Sequence, residues 1–420
     1  MRVAVIGAGV AGISISYLLQ RQHDVSLFER EDRLGGHTHT IEIPSGPDEG
    51  TPVDTGFIVF NDRTYPHFLK FLQQLGVSAR NSDMSFSFYC EKTGFQYAGT
   101  NLNGIFAKRS NFFQKDFLKM LTEVVNFNRR GLKYLQRDRK DSVTLRSLLE
   151  TYQYSSYFID HYILPLGSAI WSTSLTEMLS FPAETFLRFF QNHGLLSLFD
   201  RPQWKTVVGG SHSYLKAFLR QFSGKVFLNS KIERVMRSNE KVELVMQTGH
   251  RMTFDHIVLA THADEVLPLL AAPSAAEGEC FSAWTYQQNR VVLHTDISVM
   301  PSLRRAWASW NYVRERGCEQ EPERGVSMSY HMNRLQGLKT HDDYCVSLNR
   351  RSKVDDRLII RELSYTHPTY TVRSLATQEK IRNLNGQNRT SFCGSYLGYG
   401  FHEDAIRSSC EAAAKFGIAL

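Results

Sequence analysis

Apolar positions come in short blocks whose period changes along the chain. "RVAVI" at 2–6 is an apolar run closed by a glycine, the pattern of a strand buried on both faces of a parallel sheet. "VAGISISYLLQRQ" then predicts a helix and "DVSLFER" a second strand, so the chain opens β-α-β. "TYPHFLKFLQQLGV" predicts a helix closed by Gly76, and "SFSFYCEKTGFQYAG" a hairpin turning at 92–94. Residues 111 to about 200 read as mainly helical, with apolar residues at 113, 117, 121, 124, 132 and 135 keeping the helical period.

From about 204 the texture changes. "WKTVVGGSHSYLKAFLRQF" predicts a strand, a glycine turn and a helix. Strands follow in "KVFLNSKIERVMRS", "KVELVMQTG" and "RMTFDHIVLATHADEVLPLL", and again over 285–370. The end, "RTSFCGSYLGYGFHEDAIRSSCEAAAKFG", predicts a strand, a glycine-rich loop and a helix. There is no internal repeat and no long low-complexity linker, so the domains are expected to be interleaved rather than strung out.

Composition narrows this further. At 420 residues the chain exceeds one simple core, and 42% hydrophobic with 22% charged residues reads as globular. No run of about 18 apolar residues appears, so no membrane-spanning helix is expected. The N-terminus lacks the features of a signal peptide. The six cysteines are scattered with no CxxC pair, which suits a reducing cytoplasm and argues against a zinc ribbon or a disulfide scaffold. The net charge of +7 is unevenly spread: residues 106–140 hold ten Lys or Arg against three Asp or Glu, equal to the whole excess. Such a segment is a solvated helix face, or a patch for anionic lipid head groups or an acidic substrate. No recognition motif accompanies it, so no nucleic-acid partner is expected.

"VAVIGAGVAGISISYLL" sets Gly7, Gly9 and Gly12 in the GxGxxG spacing between a strand and a helix. Gly7 permits the tight turn, Gly9 lets backbone approach a pyrophosphate, and Gly12 lets helix and strand pack closely. The helix N-terminus offers N–H groups and partial positive charge to phosphate. Glu29 ends the second strand, where a carboxylate can accept from ribose hydroxyls. "GGHTHT" follows, and His37 and His39 could be two metal ligands, but nothing nearby supplies a third and fourth with ligand spacing. No metal is expected.

"ERxxRLGG" (Glu29, Arg33, Gly35, Gly36) resembles the ribose carboxylate and glycine pair of the FAD-dependent flavoproteins that include amine oxidases and phytoene desaturases. Many members continue with arginine where this chain has His37. "PVDTGFIVF" at 52–60, "VVGGSHSYLKAF" at 207–218, "IERV" with "DHIVLATHADEV", and "SFCGSYLGYGFHEDAIRSSCEAA" resemble further segments of that family in the same order. Within it, the chain looks like a bacterial subgroup of predicted NAD/FAD-binding proteins associated with cyclopropane-fatty-acid-synthase-like enzymes.

The resemblance implies an α/β fold. A Rossmann-type FAD-binding domain of glutathione-reductase-like or amine-oxidase-like form, at 1–60, 204–272 and 375–420, would be interleaved with an α+β substrate domain at 61–203 and 273–374. It implies non-covalent FAD held by Gly7, Gly9, Gly12, Glu29, Arg33, Gly35, Gly36, His37, Thr38, Thr55, Gly56, Ile232, Gly394, Gly400, Phe401, His402 and Ala405. Catalytic roles are open among His37, His39, Asp54 and His402. Asp54 could equally be a structural carboxylate capping local backbone. The aromatic group Trp171, Phe181, Phe186, Phe189, Phe190 and His193 is either core or the lining of an apolar tunnel.

The expected activity is hydride removal from a fatty-acyl or lipid chain, by a cytoplasmic enzyme at the inner face of a membrane, touching it through 106–140. The competing expectations are an amine oxidase, a flavin isomerase or mutase without net redox, and a non-catalytic flavin-binding partner of a lipid-modifying enzyme.

Overall fold

Five short strands form a wholly parallel sheet in the order 225–227, 24–28, 2–6, 256–259 and 390–392. The structure is a computed structural model and describes residues 1–137, 143–197, 201–317, 326–350, 352 and 354–420. In Arg2–Ile6 and Asp24–Phe28 every residue after the first is buried, as the near-continuous apolar runs require. The helix Val10–Leu19 packs on the closing helix His402–Ala414, where the Ser409 hydroxyl donates to the Ala11 carbonyl at 2.9 Å.

A seven-stranded sheet makes the second layer, in the order 359–369, 285–294, 345–348, 328–331, 310–314, 86–90 and 96–98. It is antiparallel except where Trp310–Arg314 runs parallel to Phe86–Cys90. The hairpin near 92–94 thus forms and joins a sheet whose other strands begin only at residue 285. Beside this sheet stand the helices Lys115–Leu135, Leu145–Thr151, Leu164–Trp171 and Ala183–Asn192, packed through buried Phe127, Phe158 and Phe186.

The expected boundary at residue 60 is not where the packing changes. The helix Pro66–Leu75 buries Phe68, Phe71 and Leu72 with Ile13, Tyr214 and Ile406 in the core of the nucleotide side. Its apolar stripe has the helical period, and Gly76 closes it in the left-handed conformation. The hairpin strands 86–90 and 96–98 put sheet into the 61–203 segment, as the pattern of "SFSFYCEKTGFQYAG" predicts.

Candidate flavin site and its apolar extension

The tightest steric constraint of the site lies at its first turn. Gly7 has φ +94°, and a Cβ on Gly12 would sit 1.8 Å from the Gly7 carbonyl oxygen, so helix and turn touch backbone to backbone. Gly9, by contrast, has open space where a Cβ would project. Gly35 donates its N–H to the Ala8 carbonyl at 2.8 Å, and a Cβ on Gly36 would stand 3.3 Å from the Gly9 Cα. The glycine pair therefore runs directly along the first loop.

Glu29 is buried and uses one carboxylate oxygen on the Ala8 N–H at 2.8 Å and the other on the Glu31 N–H at 3.1 Å. Each oxygen keeps a second lone pair for a ribose hydroxyl. Arg33 donates to the Gly36 carbonyl at 2.9 Å and more weakly to those of Leu34 and Thr38, so it braces the glycine turn.

A cavity of about 900 Å³ opens here, at the upper end of the roughly 300–1,000 Å³ usual for ligand pockets. Gly7, Gly9, Glu29, Arg33, Gly35, Gly36, His37, Thr55, Gly56, Ile232, Gly394, Gly400, Phe401, His402 and Ala405 all line it. Gly12, Thr38, His39 and Asp54 do not. Gly12 is spent on helix packing. Thr38 shares hydrogen bonds with Tyr214 and, at 3.0 Å, with His402 Nε2. His39 bonds the Tyr365 hydroxyl at 3.1 Å through Nδ1.

Asp54 is fully buried and accepts from the Ser211 N–H and hydroxyl and from the Thr40 hydroxyl. It fixes the start of the helix His212–Gln221, and burial pushes its carboxyl up to about 6. These bonds are those of the structural cap that the sequence left open for it: Asp54 holds the glycine turn at 209–210 and is not among the residues lining the cavity.

The histidines in the wall are neutral. Burial, first of all, lowers His402 to about 3 and both His193 and His367 to about 4, and drives His37 well below its ordinary value. His37 sits among Tyr365 and His367, each with its ring centroid 5.1 Å away, and His262 at 6.0 Å. The sequence reading missed these three partners. Tyr365 and His367 share one face of a strand by their spacing of two, but nothing local says what that face meets.

The cavity continues between Leu166, Ile170, Trp171, Phe189, Trp310, Val346 and Leu348. Trp171 and Phe189 belong to the lining, while Phe181, Phe186 and Phe190 are core behind it. Trp171 is held by its indole N–H, which donates to the Tyr399 carbonyl at 3.2 Å. The charged side chains of the whole wall come from 29–33, 231 and 264–265, with Arg201 apart from them.

The chain belongs to the flavin containing amine oxidoreductase family, whose model matches residues 10–294. An L-amino-acid oxidase of Siganus canaliculatus is 24% identical over 297 residues, 65% of this chain and 50% of the relative. The chain thus spans about half the length of the curated relatives it matches. Among solved structures, a CLA-producing fatty acid isomerase from P. acnes superposes with a TM-score of 0.70 at 18% identity, covering 99% of this chain and 98% of the other. Cyclohexylamine oxidase from Brevibacterium oxydans superposes at 0.68 with 13% identity, again over 99% and 98%. These two likenesses show the fold.

The cofactor is FAD, and the residues present fit it. The open face of Gly9 leaves room for phosphate, and no side chain caps the helix that begins at Val10, whose first N–H groups have no partner within the helix. Glu29, with a lone pair left on each oxygen, would suit ribose hydroxyls. His37 Nε2, Trp310 Nε1 and the hydroxyls of Tyr370 and Tyr396 are buried polar atoms in the wall without a protein partner. Among the described residues no group of three or more His, Cys, Asp or Glu is placed to hold a metal ion.

Proposed function

We propose that this protein is an FAD-dependent oxidoreductase that removes hydride from an acyl or other lipid chain. The observation that carries the reading is the sorting of the cavity wall. Its charged groups, Arg201 aside, stand on the segments that would meet the nucleotide, and the extension beyond is aromatic and aliphatic. When bound, the flavin supplies a two-electron acceptor for hydride.

This chain's own residues do the rest. Trp171, Phe189 and Trp310 offer an apolar bed that excludes water and aligns a chain of methylenes. Neutral His37, His367 and His402 orient by hydrogen bonding without placing a charge beside the reacting carbon. The amine-oxidase reading would need a recognition group for a protonated amine, and the carboxylates of the wall, Glu29, Glu31, Asp264 and Glu265, stand away from the extension among the described residues.

The exposed side chain of Phe113, 88% accessible, precedes the basic start of the long helix at Lys115 and Lys119, and Leu102, 75% accessible, is a second exposed apolar tip. Apolar tips beside cations favour contact with an anionic lipid surface. Positions 138–140 of the basic segment lie outside the described residues. No helix among the described residues is long and apolar enough to cross a membrane.

A second reading, migration of a double bond without net redox, is supported by the likeness to the fatty acid isomerase. Mass spectrometry of lipids incubated with the holoprotein decides. Loss of two hydrogens from an acyl chain is the expected result. Unchanged mass with a moved double bond selects the second reading, and peroxide release from amines or L-amino acids overturns both.

A further inference from the structure

A second cavity, of about 520 Å³, lies against the first and shares Met84, Ser85, Gly99 and Arg201 with its wall. Its character is opposite. Arg201, Arg304, Arg305 and Arg334 line it, with Asp83 the one carboxylate among its lining residues. Asp83 stands 3.5 Å from Arg334, and Arg304 pairs outside the chamber with Asp343 at 2.5 Å while lying over the Trp307 ring. Arg305 is anchored through Nε to the Ala107 carbonyl at 2.5 Å, and Arg201 through Nε to that of Ser197 at 3.3 Å. Neither has a carboxylate partner among the described residues, and both residues are exposed, so their remaining N–H groups face solvent where an anion can also reach them.

We propose that this chamber is the head-group site of the substrate: it binds the anionic end, carboxylate or phosphate, of a molecule whose acyl chain runs through Met84 and Gly99 into the apolar extension. The proposal rests on the acyl-chain reading above and adds to it that the chain must end in an anion. Geometry supports it in two ways. Arg304, Arg305 and Arg334 line the second chamber alone, and Arg201 lines both it and the first cavity. Asn101 and Asn103 of the chamber flank exposed Leu102, so the chamber opens beside the face that would meet a lipid surface. Planar guanidinium forks suit both carboxylate and phosphate oxygens.

The test is calorimetric titration of the holoprotein, below the critical micelle concentration, with decanoate, decanoyl lysophosphatidylglycerol and 1-decanol. The proposal expects at least one anionic probe to bind about tenfold more tightly than decanol. Tighter binding of decanoate alone identifies a free fatty acid, and of the lysophospholipid alone a phospholipid. The double variant Arg201→Gln with Arg305→Gln is expected to lose that advantage while keeping its flavin content and its affinity for decanol. Arg201→Lys with Arg305→Lys is expected to retain part of it.

Should the variants fail to fold, salt serves instead: the advantage must shrink with ionic strength while decanol binding does not. Equal affinity for all three probes, or an advantage that survives both the Gln variant and salt, overturns the head-group site and leaves the acyl-chain reading standing. Failure of all three probes to bind overturns both.

Discussion

The ring of Phe57 lies flat on the imidazole of His402, with centroids 3.5 Å apart and planes 12° from parallel. Through Nε2 that imidazole also reaches the Thr38 hydroxyl. Three stretches far apart in sequence are thereby clamped at one point: the segment after the glycine pair, the return at 52–60, and the start of the last helix. His402→Phe keeps a ring on Phe57 and leaves Thr38 and Tyr214 bonded to each other, so it is expected to cost about 1 kcal/mol. Phe57→Ala empties buried volume and is expected to cost roughly 3 kcal/mol. Urea unfolding midpoints near neutral pH check both.

The glycines separate fold from cofactor. Gly9→Val is expected to leave a folded protein stripped of FAD, because the new side chain projects into open cavity. Gly12→Ala is expected to destabilise the protein itself, because its Cβ meets the Gly7 carbonyl. Circular dichroism with flavin absorbance on each purified variant distinguishes the two; full flavin content in Gly9→Val would remove the phosphate assignment.

How much of this was legible in the sequence follows from the range of the interactions. Gly7, Gly9 and Gly12 belong to one strand-turn-helix, so their spacing exposed them, whereas Gly35 and Gly36, which pack on Gly9, Thr38 and Leu215, were read from the family resemblance. Asp54 was ambiguous because a carboxylate beside a glycine-rich segment reads equally as ligand or cap. Only the docking of Ser211, 157 residues on, resolves it as a cap. Tyr365 and His367 were invisible as partners of His37, since the pairing depends on how a strand more than 300 residues away lies over the cavity. The helix Pro66–Leu75 was legible as an element but not as part of the nucleotide side, because its apolar stripe does not name the surface it meets.

Acid should loosen the fold in a defined window. His193, His256, His294 and His402 are each less than a tenth exposed, and burial holds the first three at about 4 and His402 at about 3. An unfolded chain protonates them near 6.5 while the native state does not, so stability falls as pH drops from about 6.5 towards 4. Asp54 acts oppositely, since its raised carboxyl takes a proton in the native state first. Unfolding near pH 5 is expected to take up a net of about three protons or more. The slope of unfolding free energy against pH measures it, and a flat profile over that range would show these imidazoles to be charged or solvated.

The proposed lipid contact is tested by combining charge and apolar changes: Phe113→Asp with Lys115→Glu and Lys119→Glu. Arg130 is left alone because its guanidinium is engaged with the Tyr152 carbonyl and the rings of Tyr152 and Tyr154. The partition constant for vesicles rich in phosphatidylglycerol should fall on the order of thirtyfold, from roughly 1 kcal/mol for each of the two cations. Equal sedimentation of parent and variant would leave the patch a solvated helix face.

The most direct test of the central claim is anaerobic mixing of the holoprotein with lipid while the visible flavin band is followed. Bleaching by an acyl lipid, with no response to primary amines or L-amino acids, is the predicted result. Bleaching by an amine or amino acid, with the acyl lipid inert, would contradict it.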